Sequence, residues 1–490
     1  MLQTVMRRIL GHIGLYECVA FITGFVLMAF ELAASRVLAP TIGTSTYVWT
    51  SVIGVMIAAL AGGYAAGGWV ADRRSRKIDV AWLLLAAALA IVVTCIFYTA
   101  ALASITLFIG DPRLQGVIAS CILFVPASFL LGMASPYLAK LRVRSVATTG
   151  RSVAGLSASN SVGGIIGTFC TGFIFFAIIG SRETLVLLAV LLVAASWLIE
   201  PGIRRKQRFL LSIAMGGVLL LQFFAPVSAD VVADIDTPSA HYKITTIQYH
   251  NRAVHALVMG PGGWQSGSYV DGSKELVFEY SRKLADVIAA APAHNRILLL
   301  GGGAFNLPEY VGRHYPDAQI DVVEIDPKLP GIAKRYFNFE QPPNVHIYTE
   351  DARRYLQQTT AKYDIIVSDV YNDSTIPFAL TTHEYTADLK AALQPKGVVA
   401  ANIIAAANPA CSPLLASLHD SYTHAFDHAL YYPLFEMTMQ VPQNIIAVYS
   451  NAPLDWANGI PGSVFVQLGK AHQLTDNFAP IEYLKQRCDG

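Results

Sequence analysis

Three carboxylates in the C-terminal half follow apolar runs that are typical of buried β-strands. Glu324 closes one run, and Asp351 and Asp369 follow two others, while the earlier run Leu298–Leu300 opens into the glycine loop Gly301-Gly-Gly303. A glycine loop after a strand lets a nucleotide approach the backbone closely, and ligands bind at the carboxyl ends of parallel strands. The pattern therefore predicts one binding site at the strand ends.

The spacing of these residues indicates a nucleoside ligand of the S-adenosyl type. Glu324 stands 23 residues after Gly301, where a carboxylate can accept hydrogen bonds from both hydroxyls of a ribose. Asp351 can accept from an adenine amino group, and Asp369 adds a fourth strand-end feature. Each acid alone could instead be a helix N-cap, a role that fits Asp351 before Ala352 well. The combination favours the nucleoside site.

Residues 296–490 alternate between strand and helix patterns, which predicts a doubly wound, Rossmann-like α/β domain built on a parallel sheet. The predicted strands are Ile297–Leu300, Ile320–Ile325, Val345–Tyr348, Asp364–Val367 and Gly397–Ile403. The predicted helices are 306–314, 328–336, 351–358 and 383–393. Residues 230–295 instead alternate at the period of strands and end in a helix predicted over Ser273 to Ala290, so they form a small β-rich N-terminal sheet.

Residues 1–229 have the composition of an all-α transmembrane helical bundle. Of the 490 residues, 54% are hydrophobic and 14% charged, and the first 229 hold most of the long apolar runs. A span needs about 20 apolar residues, which predicts seven spans at roughly 16–38, 47–70, 80–103, 116–139, 154–178, 183–199 and 209–226. Seven glycines have a spacing typical of close helix packing, namely those at 62, 63, 67, 68, 163, 164 and 167. The lipid bilayer is accordingly a predicted partner.

Charge in the loops predicts how this half is oriented. Residues 1–229 carry 17 Lys/Arg against 7 Asp/Glu, and residues 230–490 carry 18 against 27. The basic residues cluster in alternate loops, such as 73–77 and 140–151, so the positive-inside rule predicts a cytoplasmic N-terminus in a bacterial inner (plasma) membrane. Seven spans then place residues 230–490 outside. Because the basic charge lies between spans, it predicts no nucleic-acid partner.

Four stretches resemble the polyamine aminopropyltransferases, the spermidine and spermine synthases. They are Ile297–Gly303, Val322–Pro327, Tyr363–Asp369 and Thr381–Tyr385. The run Gly263-Trp-Gln-Ser266 resembles the amino-terminal sheet of that family. The whole layout is similar to bacterial proteins of the membrane-fused type, in which such a domain follows a major-facilitator-like membrane half.

The resemblance implies a role for each candidate residue. Glu324 would hold the ribose, Asp351 the adenine and Gln265 the aminopropyl or ribose part, beside the loop that contains Gly301 and Gly303. Asp369 would deprotonate the attacking amine. The implied co-substrate is decarboxylated S-adenosylmethionine and the implied acceptor a small-molecule amine or polyamine such as putrescine. No metal is required, since the leaving group is a neutral thioether, and family members are often dimers, which implies a homodimer.

Four positions depart from the family pattern, all in amine recognition. Ala304 replaces an aspartate of the glycine loop, Phe278 replaces a tyrosine with Tyr280 in place of its acidic neighbour, and Asn372 replaces an aspartate, with Asp373 beside it. Two alternatives therefore stand beside aminopropyl transfer. One is another alkyl or methyl transfer that uses S-adenosylmethionine. The other is a non-catalytic sensor or transport accessory that binds a nucleoside or polyamine.

Overall fold

The computed structural model describes residues 14–143, 145–202, 205–223, 230–372, 375–408, 412–435, 442–460 and 471–485. The chain divides into two compact units. The helical unit consists of Met1–Ser228 with Ile235–His241, and the α/β unit consists of Ala229–Asp234 with Tyr242–Gly490.

The helical unit consists of long apolar helices. Its helices are α1 (Leu15–Ile42), α2 (Thr46–Arg73), α3 (Lys77–Phe108), α4 (Pro112–Leu123), α5 (Val125–Arg142), α6 (Thr149–Ile178), α7 (Ser181–Ile199) and α8 (Arg205–Phe223). Among the described residues, five helices are long and apolar enough to cross a membrane, or six if α4 and α5 form one bent span. Helix α8, which covers most of the predicted span 209–226, is not among them, and residues 224–226 lie outside the described part.

The predicted span 116–139 is broken in the middle. Helices α4 and α5 meet at Phe124 with a bend of 54°. Pro126 lies in the first turn of α5 and has no N–H to donate to the preceding turn, which explains the break. The hydroxyl of Thr94 donates to the carbonyl of Leu123 over 2.6 Å and so gives one carbonyl at the break a partner.

The glycine spacing in the helical unit reflects close helix contacts. A Cβ on Gly163 would lie 2.0 Å from the carbonyl oxygen of Phe21, and one on Gly63 would lie 2.2 Å from that of Phe129. Helix α1 therefore packs backbone to backbone against α6, and α2 packs in the same way against α5. The prediction is wrong for Gly68, because a Cβ on it would meet no atom within 4 Å. A side chain at Gly63 or Gly163 would force these pairs apart.

A four-stranded sheet opens the α/β unit, with its strands in the order β1-β2-β3-β4. These strands are β1 (Val231–Asp236), β2 (His241–Tyr249), β3 (Arg252–Val258) and β4 (Trp264–Tyr269). The following helix, α9, is Glu279–Ala290 and not the predicted Ser273–Ala290. The side chains of Val277 and Phe278 pack into the core of this sheet, and Phe278 has an extended backbone, so the helix begins after them.

A seven-stranded sheet forms the rest of the unit, in the order β10-β11-β9-β8-β5-β6-β7. Its strands are β5 (Arg296–Leu300), β6 (Gln319–Glu324), β7 (Val345–Thr349), β8 (Tyr363–Ser368), β9 (Leu393–Ala406), β10 (His428–Pro433) and β11 (Pro442–Ser450). The helices are α10 (Asn306–His314), α11 (Leu329–Tyr336), α12 (Ala352–Gln358), α13 (His383–Ala392), α14 (Pro413–Thr423) and α15 (Ile481–Lys485). The prediction of a parallel sheet holds for β5 to β9, whereas β11 pairs antiparallel with both β9 and β10 and makes the sheet mixed.

The strand order reverses between β5 and β8, which are parallel neighbours. The chain winds outward through β6 and β7 on one side of β5 and through β8 and β9 on the other. Strands β5, β6 and β8 are buried along almost their whole length, as expected when helices cover both faces. Such a reversal leaves a crevice at the carboxyl ends of the strands, where ligands bind in open α/β sheets.

Candidate nucleoside and amine site

The glycine loop lies directly against the backbone that carries Asp369. Gly301 follows β5 with φ +94°, and a Cβ on it would lie 2.3 Å from the carbonyl oxygen of Asp369. The amide of Asp369 donates to the carbonyl of Leu300 over 3.0 Å. Gly303 also has a positive φ, of +53°. The loop therefore needs glycine for both its conformation and the close approach of the two strand ends.

Glu324 lies at the end of β6 with only 8% of its surface exposed. One carboxylate oxygen accepts from the amide of Gly302 over 2.9 Å, and the other accepts from the amide of Asp326, also over 2.9 Å. Burial raises the pKa of this carboxyl group. Each oxygen retains acceptor capacity, so the carboxylate is fixed beside the glycine loop and can still accept hydroxyl groups.

Asp351 is the N-cap of α12, as the alternative interpretation of this residue predicts. One of its carboxylate oxygens accepts from the amide of Arg354 over 3.0 Å, and the residue is exposed. It follows β7, the strand beside β6, so it lies at the same edge of the sheet as Glu324. A capping carboxylate has further lone pairs, and this role leaves an acceptor at the edge of the crevice.

Strand β4 of the small sheet lies over the glycine loop. The hydroxyl of Ser266 accepts from the amide of Ala304 over 3.1 Å, and a Cβ on Gly303 would lie 3.2 Å from that of Ser266. The neighbouring Gln265 is fixed through its backbone, because the hydroxyl of Tyr280 donates to its carbonyl over 2.6 Å. Gln265 is thus beside the loop, and Ser266 and Tyr280 are contacts that the sequence did not indicate.

Asp369 follows β8, beside Gly301. Burial raises its pKa to about 6, while a hydrogen bond from Asn402 acts in the opposite direction. That bond runs from Nδ2 of Asn402 to Oδ1 of Asp369 over 2.8 Å. The negative charge of Asp369 contributes to raising the pKa values of Tyr280 and Tyr371, which are raised chiefly by burial, so both phenols stay neutral at physiological pH. A carboxyl group of this kind exchanges a proton near neutral pH.

Asn402 was missed by sequence reasoning, although a signal for it exists. It interrupts the apolar run Val398–Ile404 near the carboxyl end of β9, and only 4% of its surface is exposed. A polar side chain in the buried part of a central strand requires a hydrogen-bonding partner. The end of the adjacent strand β8 is where that partner lies.

The four departures from the family pattern have defined positions. Ala304 is fully buried, and Phe278 packs in the core of the small sheet, stacked between Trp264 and Tyr280 at centroid distances of 6.1 and 6.4 Å. Asn372 is exposed and bridges to Thr375. Asp373 lies outside the described residues. Within the described part of the chain, no group of three His, Cys, Asp or Glu residues could hold a metal ion.

Comparison with known proteins relates this region to polyamine enzymes. Residues 277–418 match the family described as the spermine/spermidine synthase domain. A polyamine aminopropyltransferase of Vibrio vulnificus is 36% identical over 132 residues, which are 26% of this chain and 44% of that protein. This chain thus spans less than half of that relative.

Two further matches cover more of the chain. Polyamine aminopropyltransferase 2 of Streptomyces coelicolor is 25% identical over 81% of this chain and 74% of its own length. The match covers 423 residues, which is more than residues 230–490 contain, so it extends into the N-terminal half. The crystal structure of a probable spermidine synthase from Corynebacterium glutamicum aligns over 52% of this chain and all of its own, with 20% identity and a TM-score of 0.42. Both sequence relatives are named as polyamine aminopropyltransferases.

Proposed function

We propose that the protein is a membrane-anchored, spermidine-synthase-like aminopropyltransferase. It would move an aminopropyl group from decarboxylated S-adenosylmethionine to an amine such as putrescine. The observation that carries the proposal is the placement of Glu324, the glycine loop and Asp369 around the reversal of strand order, within the residues that match the synthase domain. In this proposal Glu324 accepts the ribose hydroxyls, Asp351 accepts from the adenine and Gln265 contacts the aminopropyl or ribose part.

Asp369 would act as the base. An ammonium group has no free electron pair, so the acceptor must first give a proton to the carboxylate. The nitrogen then attacks the methylene carbon beside the sulfonium, a C–N bond forms and the C–S bond breaks. The electron pair of the C–S bond stays on sulfur, and methylthioadenosine leaves as a neutral thioether. The proton on Asp369 passes to solvent, which restores the base for the next turnover.

A second candidate is the transfer of a methyl or other alkyl group from S-adenosylmethionine on the same site. Ala304 favours it. The side chain of Ala304 is fully buried and its amide is bonded to Ser266, so this position offers no carboxylate for an aminopropyl ammonium. A donor whose transferred group carries no ammonium needs none there.

The helical unit would anchor the enzyme in the membrane. In this proposal the bent pair α4 and α5 crosses once and α8 supplies the seventh span. The N-terminus then lies in the cytoplasm and the α/β unit on the opposite side of a bacterial inner membrane.

Ligand binding to the full-length protein in detergent tests the nucleoside site. We expect calorimetry to detect methylthioadenosine, and Glu324→Gln to weaken it about 10- to 100-fold, the loss of a charge-assisted hydrogen bond. Glu340→Gln is the control, because the side chain of Glu340 is 73% exposed. Preference for decarboxylated S-adenosylmethionine, with methylthioadenosine released when putrescine is added, supports aminopropyl transfer. Preference for S-adenosylmethionine supports the second candidate, and a folded protein that binds none of the three ligands contradicts both.

A further inference from the structure

Two asparagines form a chain of side-chain amides that ends on Asp369. Nδ2 of Asn444, on β11, donates to Oδ1 of Asn402 over 3.0 Å, and Nδ2 of Asn402, on β9, donates to Oδ1 of Asp369 over 2.8 Å. Strands β11, β9 and β8 are consecutive in the sheet. Both bonds donate towards the carboxylate, so the chain presents an N–H group to an acceptor.

The direction of the chain depends on the charge of Asp369. If the amide of Asn402 were reversed, its oxygen would face the carboxylate oxygen, and its NH₂ would face that of Asn444. Both contacts would be repulsive. With Asn444 oriented as in the structure, its NH₂ group favours the orientation of Asn402 that stabilises an ionised Asp369.

Tyr371 fixes the backbone next to this chain. Its hydroxyl donates to the carbonyl of Asn402 over 2.8 Å and accepts from the amide of Ile404 over 2.8 Å. The chain segment that leaves Asp369 is thus attached to β9, while Gly301 and Leu300 hold Asp369 from the side of β5. The backbone and the side chain of Asp369 are thus both held in position, and Oδ1 is the carboxylate oxygen that accepts from Asn402.

We infer that Asn402 is a positioning residue, supported by Asn444, which orients Asp369 so that Oδ1 is hydrogen-bonded and Oδ2 accepts the proton of the amine. The inference rests on the proposed function for the role of the proton, and it assigns two residues that the synthase-like motifs do not contain. A donor on one oxygen stabilises the charged form in a buried setting. It also fixes the rotamer, which aims the other oxygen.

Titration of Asp369 by NMR tests the inference without requiring turnover. The full-length protein, labelled with ¹³C at aspartate Cγ, is titrated in detergent, and Asp369→Asn identifies the signal. We expect a midpoint at pH about 6. Asn402→Leu, which keeps the volume and removes the donor, is expected to raise it by about one pH unit. Asn444→Leu is expected to raise it by less, and it serves as the second variant if Asn402→Leu does not fold.

Among the residues that the structure describes, the titratable groups that face Asp369 are the phenols of Tyr280, from α9, and Tyr371, both neutral over this range. Asn372→Ala is the control, because Asn372 is close to Asp369 in sequence but exposed. In this variant the titration midpoint of Asp369 is expected to equal that of the wild type. Midpoints unchanged by both leucine variants would overturn the inference.

Kinetics separate this inference from the proposed function. If the wild type transfers an aminopropyl or methyl group, Asn402→Leu should lower kcat about tenfold or more and move the acid limb of the pH profile upward, with KM little changed. If the wild type transfers neither group, the proposed function fails. The NMR midpoints then still decide whether Asn402 positions Asp369.

Discussion

Asp369 combines a shielded position with a charge that the proposed chemistry requires. Its pKa of about 6 lies above the ordinary value of an aspartate because burial disfavours the ionised form. At pH values below the ordinary aspartate pKa, the residue is protonated in both the folded and the unfolded chain. Between the two pKa values the folded chain binds more protons, so its stability falls as the pH rises through this window. Above pH 6 the folded protein bears the full free-energy cost of burying the ionised carboxylate.

Asp369→Asn should therefore make the protein more stable at pH 8 while abolishing transfer. We expect the free energy of unfolding of the α/β unit to rise by about 1 to 3 kcal/mol at pH 8 and to change little at pH 3.5. Urea unfolding followed by circular dichroism at both pH values measures the difference. Asp286→Asn, at a side chain that is 55% exposed, should change stability at neither pH. A destabilised Asp369→Asn at pH 8 would contradict this account of the charge.

At the scale of elements, the turn after β5 is in backbone contact with the residue that follows β8. Gly301→Ala would introduce a Cβ 2.3 Å from the carbonyl oxygen of Asp369 and force a side chain into φ +94°. We expect the free energy of unfolding of the α/β unit to fall by at least about 2 kcal/mol. Thermal unfolding followed by circular dichroism measures the loss.

Gly331→Ala is the matched control for that variant. Gly331 lies in α11, where a Cβ would meet no atom within 4 Å. Alanine is the better helix former there, so a gain of about 0.5 kcal/mol is expected. Equal effects of the two substitutions would show that the close approach at Gly301 has no energetic weight.

A second element-level feature is the attachment of the C-terminal segment 471–485 through Arg353. This guanidinium donates to Asp388 of α13, to the carbonyl of Ala379 over 2.8 Å and to Asp476 over 3.1 Å. Only 11% of its side chain is exposed. Arg353 thus joins α12, the helix that Asp351 caps, to α13 and to the C-terminal segment.

Arg353→Lys should release the C-terminal segment, because an ammonium cannot reproduce the planar set of donors. We expect hydrogen exchange of the amides at 474–478 to become at least about tenfold faster, measured by mass spectrometry. Arg354→Lys is the adjacent control, since Arg354 is 69% exposed and pairs with Glu350. An exchange pattern that is the same in both variants would refute the proposed attachment.

At the scale of the whole molecule, the number of spans decides on which side of the membrane the α/β unit lies. Five or six described helices qualify as candidate spans, and seven spans need α8 as well. With seven spans, alkaline phosphatase fused after residue 490 should be active, and green fluorescent protein fused at the same place should not fluoresce. Fusions in the basic loop at 148 should show the reverse pattern. A fluorescent C-terminal fusion would indicate an even number of spans and contradict the proposed topology.

The sequence predicted the elements of the α/β unit closely and their contacts less well. Periodicity located β5 to β9 to within a few residues, because buried strands and amphipathic helices have different apolar periods. It placed the start of α9 six residues early, since Val277 and Phe278 are apolar in either conformation and only tertiary packing keeps them out of the helix. It assigned no contact to Asn402 or Ser266, because a polar residue in an apolar strand indicates that a partner is needed but not which residue supplies it. The break at Phe124 was also missed, although Pro126 is its visible cause.

Trp264 gives the candidate site an intrinsic fluorescent reporter. Trp264 is 49% exposed, its ring stacks on Phe278, and its neighbour in the chain is Gln265. The α/β unit has only one other tryptophan, Trp456, and the remaining four of the chain precede residue 229. A ligand that contacts Gln265 would shield the indole from water and shift its emission to shorter wavelength. With Trp456 replaced by phenylalanine, the change in emission can report occupancy of the site without a dye or a label.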